Sequence, residues 1–168
     1  NAHVWLSVPL AIRQVQNISA GLQLADPANA SIYARNEADY IARLMALDTE
    51  MRTGLQDLKH QDIITFHEAF PYLAAEYGLN VVAVIQREPG SEPSAAEVAE
   101  TIDLIKARQL PALFAEPQYP VRVAETIAAE TGVQIYTLDP IVSGQADAGT
   151  YEQKMRENLA VLQQALKG

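Results

Sequence analysis

His67 and Glu68, Glu88, Glu116 and Asp139 follow on four short apolar runs: Asp62-Ile63-Ile64-Thr65-Phe66, Val81 to Ile85, Ala112 to Ala115 and Val133 to Leu138. If those runs are parallel strands, all these side chains stand at the carboxyl edge of the sheet, where loops converge and ligands bind. Neutral imidazole together with carboxylate oxygen is the donor set taken by borderline divalent transition metals, zinc above all in tetrahedral geometry. Polar residues also gather at strand ends because loops are wet, so no single one of these is informative; the recurrence at every strand end is what points to a site. Phosphate chemistry is absent. No glycine-rich loop follows a strand, and neither GxxxxGK[ST] nor GxGxxG occurs, which disfavours a nucleotide site. His67 and Asp139 would suit a base and its orienter, but no Ser on a GxSxG-type turn stands beside them as nucleophile.

These side chains need a scaffold, and the hydrophobic periodicity supplies one. Ser7, followed by Pro9 and then Leu10, Ile12, Val15, Ile18 and Leu22, reads as a capped helix that stops near Asp26-Pro27. Asp26 is then expected to cap a second helix, with Pro27 at its first position. That helix carries Ile41, Leu44, Leu47, Met51, Leu55 and Leu58 on one stripe, with Glu37, Asp39, Arg43, Glu50 and Arg52 on the solvated side. At about 30 residues it would be roughly 45 Å long, the length of a strut rather than of a small-domain helix. After His60 the pattern changes to strands alternating with helices. The helices are expected over Ala69 to Tyr77, closed by Gly78; from a Ser94/Glu97 capping box to about Arg108; over Val121 to Glu130, with Gly132 behind it; and over Tyr151 to Leu166. Arg87 to Pro93 reads as a loop. Four strands each followed by a helix predict an α/β fold, a four-stranded parallel sheet flanked by helices with right-handed crossovers. The chain divides into linker helices over 1–58 and an α/β lobe over 59–168.

Composition narrows the partners. The 168 residues hold 12 Lys+Arg against 21 Asp+Glu, a net charge of −9, and no basic cluster. Such a field repels polyanions, so nucleic acid is excluded as a partner. No apolar run approaches the roughly 20 residues that a bilayer-spanning helix needs. The absence of cysteine excludes disulfides, thiolate metal sites and cysteine nucleophiles.

The run Asn1-Ala2-His3-Val4-Trp5-Leu6-Ser7 resembles the Asp-Pro-His-x-Trp-Leu signature found midway along the solute-binding proteins of zinc and manganese ABC transporters. The similarity continues, in order, through Ala25-Asp26-Pro27-Ala28-Asn29-Ala30, Thr65-Phe66-His67-Glu68-Ala69-Phe70, Glu92-Pro93-Ser94, Leu113-Phe114-Ala115-Glu116-Pro117-Gln118 and Leu138-Asp139-Pro140-Ile141. It covers essentially the whole chain. The resemblance implies a two-lobed receptor in which a long helix joins the lobes and one metal lies in the cleft. It assigns His3, His67 and Asp139 as ligands, with a fourth from an N-terminal lobe upstream of Asn1. Glu116 and Glu68 are read as groups behind the ligands or on the surface rather than as ligands, and Glu116 could orient His67 through its second ring nitrogen. Manganese-selective relatives usually carry Glu at the position of His67, so His67 implies zinc, with manganese or iron as the alternative. Ala2 departs from the family's proline, which loosens the turn before His3.

The function so implied is capture of zinc outside the cytoplasmic membrane, in the periplasm or on a membrane-anchored extracellular protein, and its delivery to an ABC permease, not catalysis. Two readings from other classes are a small zinc metallohydrolase with an open water position and a surface adhesin. Asn1-Ala2-His3 is neither an initiator nor a signal sequence, so the chain is expected to be the C-terminal half of such a receptor. Apolar surface on its long helix is then expected to favour self-association. Trp5 is expected to pack near the cleft, and a helix cap or Asp-Pro turn is the competing role for Asp139.

Overall fold

The computed structural model describes residues 1–86, 92–145 and 147–167. A 3-10 turn, Val4–Leu6, leads into α1, Val8–Ala25, whose cap Ser7 accepts a hydrogen bond from the Leu10 amide at 3.3 Å. A second 3-10 turn, Pro27–Asn29, precedes α2, Ala30–Leu55. Asp26 stands at the start of this 3-10 turn, and Asn29 rather than Asp26 precedes α2. Asp26 Oδ2 accepts from Asn29 Nδ2 at 2.7 Å and from the Tyr33 hydroxyl at 2.9 Å. The side chain thus closes the turn between α1 and α2 rather than starting the helix. With 26 residues, α2 is about 39 Å long, shorter than the stripe suggested because Gln56 and Asp57 already turn away.

Burial divides α2 in two. Leu44, Leu47, Met51 and Leu55 are buried against the α/β body, whereas no residue of α2 before Leu44 is buried. The first half packs on α1, which leaves Ile18, Leu22, Leu24 and Ile32 with exposed apolar surface.

The remaining elements follow the expected alternation: β1 Asp62–Thr65, α3 Pro71–Tyr77, β2 Asn80–Val84, α4 Ala95–Arg108, β3 Ala112–Ala115, α5 Arg122–Thr131, β4 Gln134–Thr137 and α6 Thr150–Leu166. Among the described residues these strands form one parallel sheet in the order β2-β1-β3-β4. Successive side chains of a strand point to opposite faces. Accordingly Ile63 and Phe114 join a core with α2, α3 and α6, while Ile64 and Leu113 join a second core with α4 and α5. Where α2 crosses α6, Gly54 admits the close approach: a Cβ there would lie 2.7 Å from Gln163 Nε2 and 2.8 Å from Leu159 Cδ1. Gly78 ends α3 in the left-handed conformation, φ 74°. No helix among the described residues is long and apolar enough to cross a membrane.

The strand order places the site. From β1 the chain crosses to β2 on one side, and from β3 it crosses to β4 on the other, so the connections diverge between β1 and β3. Such a switch point opens a crevice beyond the carboxyl ends of the two strands. His67 follows the first of them and Glu116 the second.

Candidate metal centre

His67 leaves β1 on a turn held at both backbone groups. Thr65 Oγ1 donates to the His67 carbonyl at 3.1 Å, and the His67 amide donates to Glu116 Oε1 at 2.9 Å. The other carboxylate oxygen, Oε2, lies against His67 Nδ1. Glu116 thus reads both the backbone and the ring of His67. It is 1% exposed, and burial pushes its carboxyl up, a shift that the hydrogen bonds from His67 oppose and the charge of Asp139 increases. An acceptor at Nδ1 fixes the tautomer with Nδ1–H, which leaves the Nε2 lone pair for a Lewis acid. The Tyr119 ring lies 5.1 Å from the His67 ring, centroid to centroid.

His3 reaches the same place from the other end of the chain. Its ring meets His67 edge-on at 5.1 Å and 75°, and lies 5.3 Å from the Trp5 ring. Asn1 Oδ1 accepts from both the His3 amide, at 2.9 Å, and Nδ1, at 2.8 Å, while Asn1 Nδ2 donates to the Glu68 carbonyl at 2.6 Å. His3 therefore also presents a lone pair at Nε2. Burial first, and then the neighbouring His67, hold its imidazole below the usual histidine range, which favours the neutral, metal-ready form.

Asp139 follows β4 and is clasped by α6. Its amide donates to Asn158 Oδ1 at 2.8 Å and its carbonyl accepts from Asn158 Nδ2 at 2.7 Å. Its Oδ1 accepts from the Ile141 amide at 2.8 Å, an Asx turn that carries Ile141 to φ 58°. A β-branched residue in that region is strained, and the turn and its packing hold it there. Trp5 Nε1 donates to the Pro140 carbonyl at 2.9 Å, and the Tyr151 hydroxyl donates to the Trp5 carbonyl at 2.7 Å. The turn after His3 and the turn after Asp139 are thereby stitched together.

Of the expected residues, the structure brings His3, His67 and Glu116 into contact and sets Asp139 near enough for its charge to act on Glu116. It does not close them further: among the described residues, no group of three His, Asp or Glu stands at metal-holding distances. The exposed Glu68 side chain lines a cavity with Val82, Val84 and Glu100 instead of joining this group. Glu88 lies outside the described residues. Asn158, Asn1 and Tyr119 escaped the sequence reading. An asparagine in the middle of a helix is a weak signal for the first of them, since such a side chain usually serves a backbone outside the helix.

Comparison with known proteins gives concordant likenesses. The family model described as ZnuA, zinc-uptake complex component A, periplasmic, matches residues 1–165. The high-affinity zinc uptake system protein ZnuA of Bacillus subtilis is 37% identical over 168 residues, 98% of this chain and 53% of the relative. This chain therefore spans about half the length of that curated relative. The solute-binding protein FpvC of Pseudomonas aeruginosa, solved with Mn2+, superposes with a TM-score of 0.89 at 38% identity, over 99% of this chain and 63% of that one. The Zn(II)-bound ZnuA-like domain of Streptococcus pneumoniae AdcA superposes with a TM-score of 0.83 at 34% identity, over 99% of this chain and 64% of that one.

Proposed function

Starting from the fact that the chain belongs to the ZnuA family of zinc-uptake components, we propose that it is the metal-holding C-terminal half of an extracytoplasmic receptor, which captures zinc and passes it to an ABC permease. The first 58 residues would join its two lobes, and the α/β lobe would supply His67 and Asp139, with His3 facing them. A fourth donor would come from a preceding lobe, as tetrahedral zinc requires. Zinc is cargo here, and the chain acts as a receptor and not as an enzyme.

One observation carries this reading. Two imidazoles meet at the sheet's switch point, and one of them is braced at Nδ1 by a buried carboxylate. That is the carboxylate–histidine arrangement that orients a metal ligand and raises its basicity. Imidazole donors favour zinc over manganese, for which harder, oxygen-rich shells are preferred. Manganese remains the second reading, because a relative 38% identical was solved with Mn2+.

The test is calorimetric titration of the 168-residue chain with zinc and with manganese, beside His67→Ala. The expected result is zinc binding in preference to manganese, lost in the variant by at least about a hundredfold. An unchanged zinc isotherm in His67→Ala would sink the assignment. Preference for manganese would replace zinc as the cargo.

A further inference from the structure

A receptor must also release its ion, and the Asp139 carboxylate carries a device suited to that. Its Oδ1 accepts from the Ile141 amide, whereas Oδ2 accepts no hydrogen bond from it and is the oxygen that faces a cation. Lys154 Nζ already stands 3.6 Å from that oxygen and 2.9 Å from Glu157 Oε2. Lys154 and Glu157 are three apart on α6 and therefore neighbours on one helix face, whereas Asp139 reaches the lysine from the β4 loop. The ammonium is a point charge on a flexible stem with three donors, and it has two carboxylates within reach. The Lys154 side chain is 33% exposed and that of Asp139 16%, so bulk solvent screens the pair only in part.

We propose that Lys154 is a resident cation that competes with the incoming divalent ion for the Asp139 carboxylate, with Glu157 as the partner to which it retires when metal is bound. The inference rests on the metal role proposed for Asp139. When the ion arrives, Lys154 gives up its contact with Asp139 and keeps its hydrogen bond to Glu157. Its positive charge stays near the site, weakens the hold on the ion through like-charge repulsion and favours release. Neutralising the lysine should therefore tighten binding. Removing its retreat should loosen binding, because the ammonium then has only Asp139. A lysine that merely braced α6 would not move affinity in opposite directions.

The experiment is a zinc chloride titration of the 168-residue chain against a competing chromogenic chelator, at low and at high salt. Lys154→Met keeps the length of the stem without its charge and is expected to bind zinc about tenfold more tightly, with the gain shrinking at high salt. Glu157→Gln is expected to bind severalfold more weakly, and Lys154→Arg to resemble the parent. Lys154→Met that binds zinc no more tightly than the parent, while His67→Ala abolishes binding, would overturn this inference and leave the receptor reading standing. Insensitivity of zinc binding to His67→Ala would remove both.

Discussion

The strand-end half of the site and the chain-start half are built differently. Glu116 and Asn158, 1% and 2% exposed, each make two contacts, Glu116 with the backbone and ring of His67 and Asn158 with the amide and carbonyl of Asp139. His3 is held by an exposed asparagine two residues away and by the edge of another imidazole. The first half is preorganised by interactions whose loss would leave buried groups unsatisfied, so its geometry is fixed by the fold. The second half depends on a short 3-10 turn that is pinned in the core by Leu6, while its polar anchors, Trp5 to Pro140 and Tyr151 to Trp5, are single hydrogen bonds. The sheet edge thus offers a rigid platform, and the His3 ring is docked onto it. The substitutions below measure that contrast.

The largest effect is expected at Asn158. Truncation to alanine strands both the amide and the carbonyl of Asp139 in a half-buried turn that also holds Ile141 in its strained conformation. Two orphaned backbone groups cost about 3 kcal/mol together, or about 6–12 °C in Tm for a chain of this size. Circular-dichroism melting of Asn158→Ala measures it. A fall under about 2 °C would mean that the platform does not depend on this clasp, and the contrast between the halves would collapse.

Glu116→Gln separates preorganisation from stability. The amide oxygen still accepts from the His67 backbone, but the charge facing Nδ1 is gone. Zinc affinity is expected to fall by about 10–100-fold. Because burial pushes the Glu116 carboxyl up, a neutral amide costs less to bury than the carboxylate, and the melting temperature should hold or rise. Affinity and stability then move apart, as a brace predicts. A joint fall in both would reduce Glu116 to an ordinary structural residue.

The strand-end half was legible in the sequence for a physical reason. Short β-branched runs separated by helical patterns imply a parallel sheet, and a parallel sheet commits the residue after each strand to one edge. That rule set His67, Glu68, Glu88, Glu116 and Asp139 at one edge without choosing among them, and the choice of His67 and Asp139 as ligands came from the family resemblance. Strand order did not follow from the rule, because the choice between neighbours depends on packing at distances no local pattern encodes; with it went the knowledge that β1 and β3 diverge at the switch point. Asn158 was invisible since its partner is a backbone nineteen residues earlier in the chain. Asp26 misled for the converse reason. Its type and position before Pro27 fit a cap, but the Tyr33 hydroxyl and the Asn29 amide take its carboxylate. The contact of His3 with His67 followed from family resemblance, not from periodicity.

The smallest effect belongs to the chain-start half. In Trp5→Phe the aromatic surface facing His3 persists, and only the indole donor to Pro140 is lost. One hydrogen bond, here to the carbonyl of the buried Pro140, is worth about 1 kcal/mol, or about 2–4 °C in Tm. If His3 is merely docked, loosening this stitch should weaken zinc binding by a few fold at most, because the ring can still be drawn onto the platform by the metal itself. Parallel melting and zinc titration of Trp5→Phe and Asn158→Ala test the ranking. Should Trp5→Phe prove as costly as Asn158→Ala in both measurements, the docked turn would be as rigid as the platform, and the site would be preorganised from both ends of the chain.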